Sequence, residues 1–570
     1  MRTLRSLRVR LGLCAALAVP ALGALPAFPA PSFFDPLPDG ELADALIEAM
    51  TDEELLSQVF FIGYPDTEPS AFVKDWIRSS NLGGVKLFSW NVGDLTSLAS
   101  SVRALQSLAL GHRLGIPLLV AADQEGGGWV QNIREGCTVT PGNMAIAASG
   151  LPRDALDTGY HVGRELRVLG INMNFAPAVD VLRSAEAAVI GPRAFSSDPE
   201  QVGLLSLAFF RGQSRAGVIC TAKHFPGHGA ADEDSHGFLP QVETTLEELW
   251  ETDLLPYRLL IAEDIPAIMG GHLAYPKIIG PDVPATLSDY MLVELLRNRL
   301  GFGGVLITDD FKMYGIHQGK MDMATVSRHA LEAGNDMILL TRTRIYQERA
   351  WNLLIGLLKV DDGFRHRIVE AVRRVLLLKL HWLKRDFPLL PDVQAVAREI
   401  PSPEASEFSL NSSCRAVTVI AAEDLPLKPS EHDRILLVGQ ADHFFEAGRA
   451  RLPRAAVYDF PFYPMEWSRA VDRQRLPRIA AEYDVVIFCL TSRNSLEVLS
   501  SLEDYPGHLY VISALAPVHV ASVPWVRTVL AVYGLGRDSF RAGFGALLGD
   551  FEAEGRLPIR ELISFTADEG

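Results

Sequence analysis

Gly217-Val218-Ile219-Cys220-Thr221-Ala222-Lys223-His224-Phe225-Pro226-Gly227-His228-Gly229 is an apolar run that ends in a cluster of titratable side chains. The run over 217–221 is short and opens on a glycine, which reads as a strand feeding a polar loop. Gly227 and Gly229 flank His228 where neither helix nor strand can continue, so a mobile loop is expected, with its side chains presented rather than buried. Asp234-Ser235-His236 follows on the same loop.

Working outward, the same pattern recurs along the chain. Apolar runs at 58–63, 84–88, 116–122, 171–176, 217–221, 265–269, 303–307 and 336–340 alternate with helical periodicity, for example over 95–110, 155–169 and 202–216. Thr51-Asp52-Glu53-Glu54 is a capping-box pattern just before the first run. Eight strands with intervening helices over about 300 residues predict a (β/α)₈ TIM-type barrel. The polar signatures follow the strands. Asp123-Gln124-Glu125-Gly126-Gly127 ends the third, Asp180 closes the fourth, Lys223-His224 the fifth, Gly271-His272 the sixth and Thr308-Asp309-Asp310 the seventh. In a parallel barrel these ends share one face, which is where active sites are built.

A chain of 570 residues exceeds one ordinary core. The reading divides it into a signal peptide (1–24), a catalytic barrel domain (34–387), a linker punctuated by Pro388, Pro391, Pro401 and Pro403 (388–412), and a C-terminal α/β domain (413–570). Strand-like runs at 434–439, 483–489, 508–512 and 526–530 predict an open parallel sheet for that last unit, with helices on both faces. Gly439 stands alone and Gly534-Leu535-Gly536 lacks a third glycine in register, so a dinucleotide site is not indicated.

A formal net charge of −17 argues against nucleic acid or an anionic membrane as the main partner. Arg2, Arg5, Arg8 and Arg10 precede an apolar run over 11–25, which reads as a secretory leader cleaved after Gly23 or Ala24. Export to the periplasm or the exterior is therefore expected. The run is shorter than the ~20 residues a span needs, so no stable membrane span is expected after cleavage. Cys137, Cys220, Cys414 and Cys489 show no CxxC spacing, and neither a disulfide framework nor a structural zinc site is indicated.

Two chemistries fit the polar face. Asp234 lies two positions from His236, close enough to orient the imidazole and support its basicity, so the pair can give and take a proton near neutral pH. Asp309, fixed at a strand end, can act as a nucleophile or stabilise positive charge. One proton donor and one carboxylate nucleophile across a pocket equip a retaining glycosidase, with a histidine in place of the usual second acid. The competing reading is a hydrolytic metal site on His224, His228, Asp232, Asp234 and His236. It lacks an HxH pair or an HExxH helix, and its glycines make a poorly fixed cage. No metal and no cofactor are expected.

Lys223-His224-Phe225-Pro226-Gly227-His228-Gly229 with Asp234-Ser235-His236 resembles the signature of the β-N-acetylglucosaminidase branch of glycoside hydrolase family 3. The likeness continues through 123–127, Pro141-Gly142-Asn143-Met144, Asn174-Phe175-Ala176-Pro177 with Asp180, Val189-Ile190-Gly191 with Arg193, Pro284-Ala285-Thr286-Leu287-Ser288 and Ile307-Thr308-Asp309-Asp310. It reaches Tyr533-Gly534 and Gly555-Arg556-Leu557-Pro558 in the second domain. The resemblance implies that Asp309 is the nucleophile, with Asp310 as the rival acid, that His236 is the acid/base, and that Asp234 is its partner. It also implies that Asp123, Arg193, Lys223 and His224 hold the hydroxyls and N-acetyl group of the sugar. Asp123 can accept hydroxyl hydrogen bonds, while Lys223, His224 and Arg193 can donate them; the bland alternative for Arg193 and Lys223 is a salt bridge at the barrel rim.

One stretch departs from the family pattern. Where Arg-Val-Gln-Arg is expected after the third strand, this chain has Gly128-Trp129-Val130-Gln131-Asn132, so Asn132 stands where a sugar-binding arginine belongs. The implied activity is that of a retaining exo-β-N-acetylglucosaminidase, acting as a monomer on a small carbohydrate such as a peptidoglycan muropeptide. The alternatives are a β-N-acetylglucosaminide phosphorylase and a catalytically impaired, exported sugar-binding protein.

Overall fold

The computed structural model describes residues 30–231, 238–317, 321–341, 343–463 and 465–559. Eight strands close a parallel barrel: β1 Phe60–Ile62, β2 Gly84–Lys86, β3 Leu119–Ala122, β4 Met173–Asn174, β5 Ile219–Phe225, β6 Ala267–Gly270, β7 Val305–Asp310 and β8 Met337–Leu340. Each strand pairs with its neighbours in sequence, and β8 returns to β1 through Phe60 opposite Ile338. All eight expected runs are barrel strands. Helices cover the outside, so most strand residues are buried, which is why the strands read as apolar runs rather than alternations. Inside the barrel the ring of Phe61 lies where a Cβ on Gly84 would stand, 2.4 Å from its nearest ring atom, and meets Phe175 edge to face at 5.6 Å.

Local signals hold as well. Thr51 Oγ1 accepts from the Glu54 amide (3.2 Å) and Glu54 Oε2 from the Thr51 amide (2.8 Å), the expected capping box. The helices Pro152–Val168 and Pro199–Arg215 pack at close range because Gly159 and Gly212 face the partner backbone. A Cβ on either would fall within 2.2 Å of a carbonyl oxygen, that of Phe209 or Leu156.

The loop after β5 corrects an expectation. The strand continues through Lys223 and His224 to Phe225, so those two side chains are presented from a strand. Beyond it, His228 and Ala231 are buried. Gly229 is pressed on β4's extension, where an added Cβ would lie 1.9 Å from the Val181 carbonyl oxygen, and the His228 amide donates to Asp180 Oδ1 at 2.8 Å. The glycines here allow close packing. Asp232, Asp234, Ser235 and His236 lie outside the described residues.

The second unit is a six-stranded sheet ordered β9-β14-β13-β12-β10-β11, from β9 Thr418–Ala422, β10 Ile435–Gly439, β11 Ala456–Asp459, β12 Val485–Leu490, β13 His508–Ser513 and β14 Thr528–Ala531. The expected all-parallel sheet is corrected at one edge, where β9 runs antiparallel to β14. β9 and β11 escaped the reading because β9 follows directly on a helix and β11 is a partly exposed edge strand without a clear apolar run. The stretch 388–412, expected as a linker, is largely helical. It contains Val393–Glu399 and most of Pro403–Ala416, whose first turn is capped by Ser402. Arg415 on the latter helix bonds both oxygens of Asp154 on a barrel helix.

The two units share a core. Met144, Leu182 and Ile190 of the barrel pack with Ala531, Tyr533 and Ile559 of the second unit. The Leu535 amide donates to the Gly127 carbonyl (2.9 Å) and Ser196 Oγ to that of Pro558 (2.7 Å), so the loop after β3 rests on the second domain. Among the described residues, no helix is long and apolar enough to cross a membrane.

Candidate active site

The strand ends open on a cavity of about 530 Å³ whose lining includes Lys86, Phe88, Trp90, Asp123, Arg193, Lys223, His224, His228, Asp309 and Asp310. That volume falls in the range of small-molecule sites. The sequence-predicted residues Asp123, Arg193, Lys223, His224 and Asp309 are thus brought together. Asp234 and His236 fall outside the described residues.

Charges alternate along the wall. Lys223 Nζ lies 2.7 Å from Asp123 Oδ1 and 2.6 Å from Glu125 Oε1, and Arg193 holds both oxygens of Glu125 at 2.9 Å. Lys86 Nζ lies 2.8 Å from Asp123 Oδ2. Burial alone would raise the carboxylates, but Lys223 and Lys86 hold Asp123 well below the usual carboxylate range, and Arg193 and Lys223 hold Glu125 below it. The same ion pairs, led by Glu125, outweigh burial and push Arg193 upward. Arg193 and Lys223 are therefore both salt-bridged and cavity-lining, so the two readings of them coexist.

His224 has a partner on each ring nitrogen. Its Nδ1 is 2.8 Å from Asp180 Oδ2 and its Nε2 is 3.1 Å from Arg193 Nη2. A guanidinium only donates, so Nε2 accepts and the ring proton sits on Nδ1, directed at Asp180. His224 thereby steadies Arg193. Asp180 also accepts from the His224 and His228 amides, at 3.2 and 2.8 Å, which ties β5 and its loop to the end of the fourth strand. His228 is pushed down to about 4, by burial first and His224 second, and His272 to about 4 chiefly by burial, so both are neutral at physiological pH. Among the described residues, no group of three His, Cys, Asp or Glu side chains is gathered to hold a metal ion.

The two acids at the end of β7 are not equivalent. Asp310 is committed: Oδ2 accepts from the Thr341 hydroxyl, and Oδ1 from the amides of Lys312 (3.1 Å) and Thr341 (3.4 Å). Burial leaves it raised. Asp309 accepts from the Asp310 amide at 2.8 Å. Burial would raise it too, but the nearby His224 and His272, that amide and Lys223 bring it below the usual range. Asp309 is the less encumbered acid, and the one whose pKa lies below the usual range.

The family model described as "Glycosyl hydrolase family 3 N terminal domain" matches residues 50–378. A β-hexosaminidase from Idiomarina loihiensis is 36% identical over 283 residues, spanning 49% of this chain and 82% of that protein. A β-hexosaminidase from Pseudomonas aeruginosa is 37% identical over 278 residues, 48% and 79% of the two chains. The chain belongs to glycosyl hydrolase family 3. A solved family 3 β-N-acetylglucosaminidase from Paenibacillus sp. matches 90% of this family 3 chain and 100% of its own with a TM-score of 0.81 at 28% identity. A fungal multi-domain family 3 β-N-acetylglucosaminidase matches 89% and 60% of the two chains, with a TM-score of 0.82 at 29% identity.

Three site residues of this hydrolase escaped assignment from sequence. Glu125 lies in the motif 123–127 and Asp180 at a strand end, so position could have flagged both. Lys86 carried a fainter signal, as the one charged residue within the apolar run 84–88. The departure after β3 also has a structural place. Trp129 turns outward to meet Phe462 of the second domain (ring centroids 5.7 Å apart), while Asn132 Oδ1 faces Lys86 Nζ at 2.7 Å.

Proposed function

We propose that this family 3 hydrolase is a retaining exo-β-N-acetylglucosaminidase that removes N-acetylglucosamine from the non-reducing end of peptidoglycan fragments. The observation that carries the reading is the asymmetry at the end of β7. The Asp309 carboxyl, held below the usual carboxylate range, lies on the wall of the cavity, while Asp310 is bound up by Thr341 and the Lys312 amide. The named activities of the β-hexosaminidase relatives support hydrolysis of N-acetylglucosaminides.

In this mechanism Asp309 attacks the anomeric carbon as His236, oriented by Asp234, protonates the leaving oxygen. His236 then deprotonates the water that cleaves the glycosyl-aspartate, and the product keeps its β configuration. Asp123 accepts sugar hydroxyls, while Lys223 and Arg193 donate to the hydroxyl and N-acetyl oxygens. The Phe88 and Trp90 rings, stacked at 4.2 Å on the cavity wall, offer an apolar face to the substrate. The leader-like segment 1–24 supports export, which would bring the enzyme to wall fragments outside the cytoplasm.

Incubation with chitobiose and defined muropeptides, followed by mass analysis, tests the reading. Free N-acetylglucosamine from non-reducing ends is expected. Sugar 1-phosphate formed in phosphate buffer, or no release from any substrate, overturns it. His236→Ala is expected to slow substrates with poor leaving groups roughly 10²–10⁴-fold and to spare those with good ones in the first step. Equal losses on both contradict the acid role.

A further inference from the structure

Lys86 is the cation that the glycosidase reading leaves without a task. It is 1% exposed, at the end of β2, on the cavity wall. Its Nζ meets three acceptors: the Leu87 carbonyl oxygen at 2.6 Å, Asn132 Oδ1 at 2.7 Å and Asp123 Oδ2 at 2.8 Å. An ammonium has three protons, so all are used and none is left for substrate. The face of Phe88, 4.2 Å away, adds to the surroundings that hold the charge.

Asn132 completes the arrangement. Its Oδ1 also accepts the Asp123 backbone amide at 2.7 Å, so one side chain links Lys86 to the main chain of the residue whose carboxylate Lys86 grips. Lys223 takes the other oxygen of that carboxylate at 2.7 Å. Each oxygen of Asp123 is thereby fixed by one lysine, with a further lone pair on each left for a ligand.

We propose that Lys86 and Asn132 act together as positioning residues, aiming the Asp123 carboxylate at the sugar from the second strand. This rests on the glycosidase reading above. It also accounts for the neutral residue at 132. An arginine there would press a second cation against the oxygen that Lys86 already holds, whereas an amide oxygen accepts the ammonium. The charge has moved to another strand. Lys86 contributes to keeping Asp123 ionised, together with Lys223.

Lys86→Met, assayed on aryl β-N-acetylglucosaminide and on its monodeoxy analogues, tests the proposal. kcat/KM is expected to fall roughly ten- to hundredfold, mostly in KM, because a buried hydrogen-bonded charge is lost beside the binding carboxylate. The loss should vanish on the deoxy sugar that also makes Asp123→Asn silent, and the acid limb of kcat/KM should move to higher pH. Lys86→Gln, which keeps a donor without the charge, should reproduce the pH shift even if the methionine variant does not fold. Adding Asn132→Arg to Lys86→Met should recover affinity. Equal losses on every analogue with an unmoved pH profile, or wild-type kinetics, overturn the positioning role. An inert wild-type protein would instead overturn the glycosidase reading itself, so the two failures are told apart.

Discussion

Asp123 and Asp336 are carboxylates pressed between cations at opposite ends of the same barrel, and they differ in what is left over. Asp336, just before β8, is fully buried. Its Oδ1 accepts from Arg367 (2.9 Å) and Arg374 (3.0 Å), and its Oδ2 from Arg297 (2.5 Å) and the Leu306 amide (3.0 Å). Every lone pair is taken. Asp123, just after β3, keeps 18% of its side chain exposed and is held by one lysine on each oxygen. The first closes the barrel's base; the second leaves acceptor capacity facing a cavity. On the proposed reading, similar ion-pair chemistry serves stability at the N-terminal ends of the strands and recognition at their C-terminal ends, as barrel architecture separates them.

Asp309→Ala should lower turnover of an aryl β-N-acetylglucosaminide by about 10⁴-fold or more while leaving the melting temperature near that of the wild type. Steady-state kinetics beside thermal melts check this. Asp336→Ala should do the reverse. Removing one partner from a buried ionic cluster leaves uncompensated arginines and costs about 3–5 kcal/mol, seen as a lower denaturation midpoint, with kcat retained below the transition. The native carboxyl is depressed, since Arg297, Arg367 and Arg374 outweigh burial. Its contribution is therefore present above the unfolded value near 3.9 and is lost as pH falls through the lower native value. The variant should show less of this acid-side loss.

Lys379 is a buried amine that no carboxylate among the described residues pairs. Its Nζ bonds Gln58 Oε1 at 2.8 Å, and burial pushes it down to about 7. Its native value lies below the unfolded value near 10.4, so the unfolded chain binds more protons and stability rises with pH across that window. Lys379→Met should flatten the rise between pH 7 and 10. At pH 7 its net gain should be about 1 kcal/mol, because Gln58 loses its partner.

Much of this was legible in the sequence for a physical reason. Barrel strands buried on both faces read as apolar runs, and the polar residue that ends such a run points to one rim. Asp123, Lys223, His224 and Asp309 accordingly meet at one cavity, joined by Arg193 of the short helix Gly191–Arg193, which only the family resemblance singled out. What pairing alone decides was not legible. Glu125, Asp180 and Lys86 draw their roles from partners on other strands, and His224 proved an acceptor toward Arg193 because of Asp180 behind it. The close approach of Gly229 to Val181 was not legible either. The direction of β9 was not legible for the same reason, since it depends on β14 more than a hundred residues away.

The most direct measurement is covalent trapping of the intermediate. A fluorinated N-acetylglucosaminyl donor that forms the glycosyl-enzyme faster than water releases it, followed by peptide mass analysis, should place the sugar on Asp309. A label on Asp310, or continued turnover with no labelled peptide, would contradict the account.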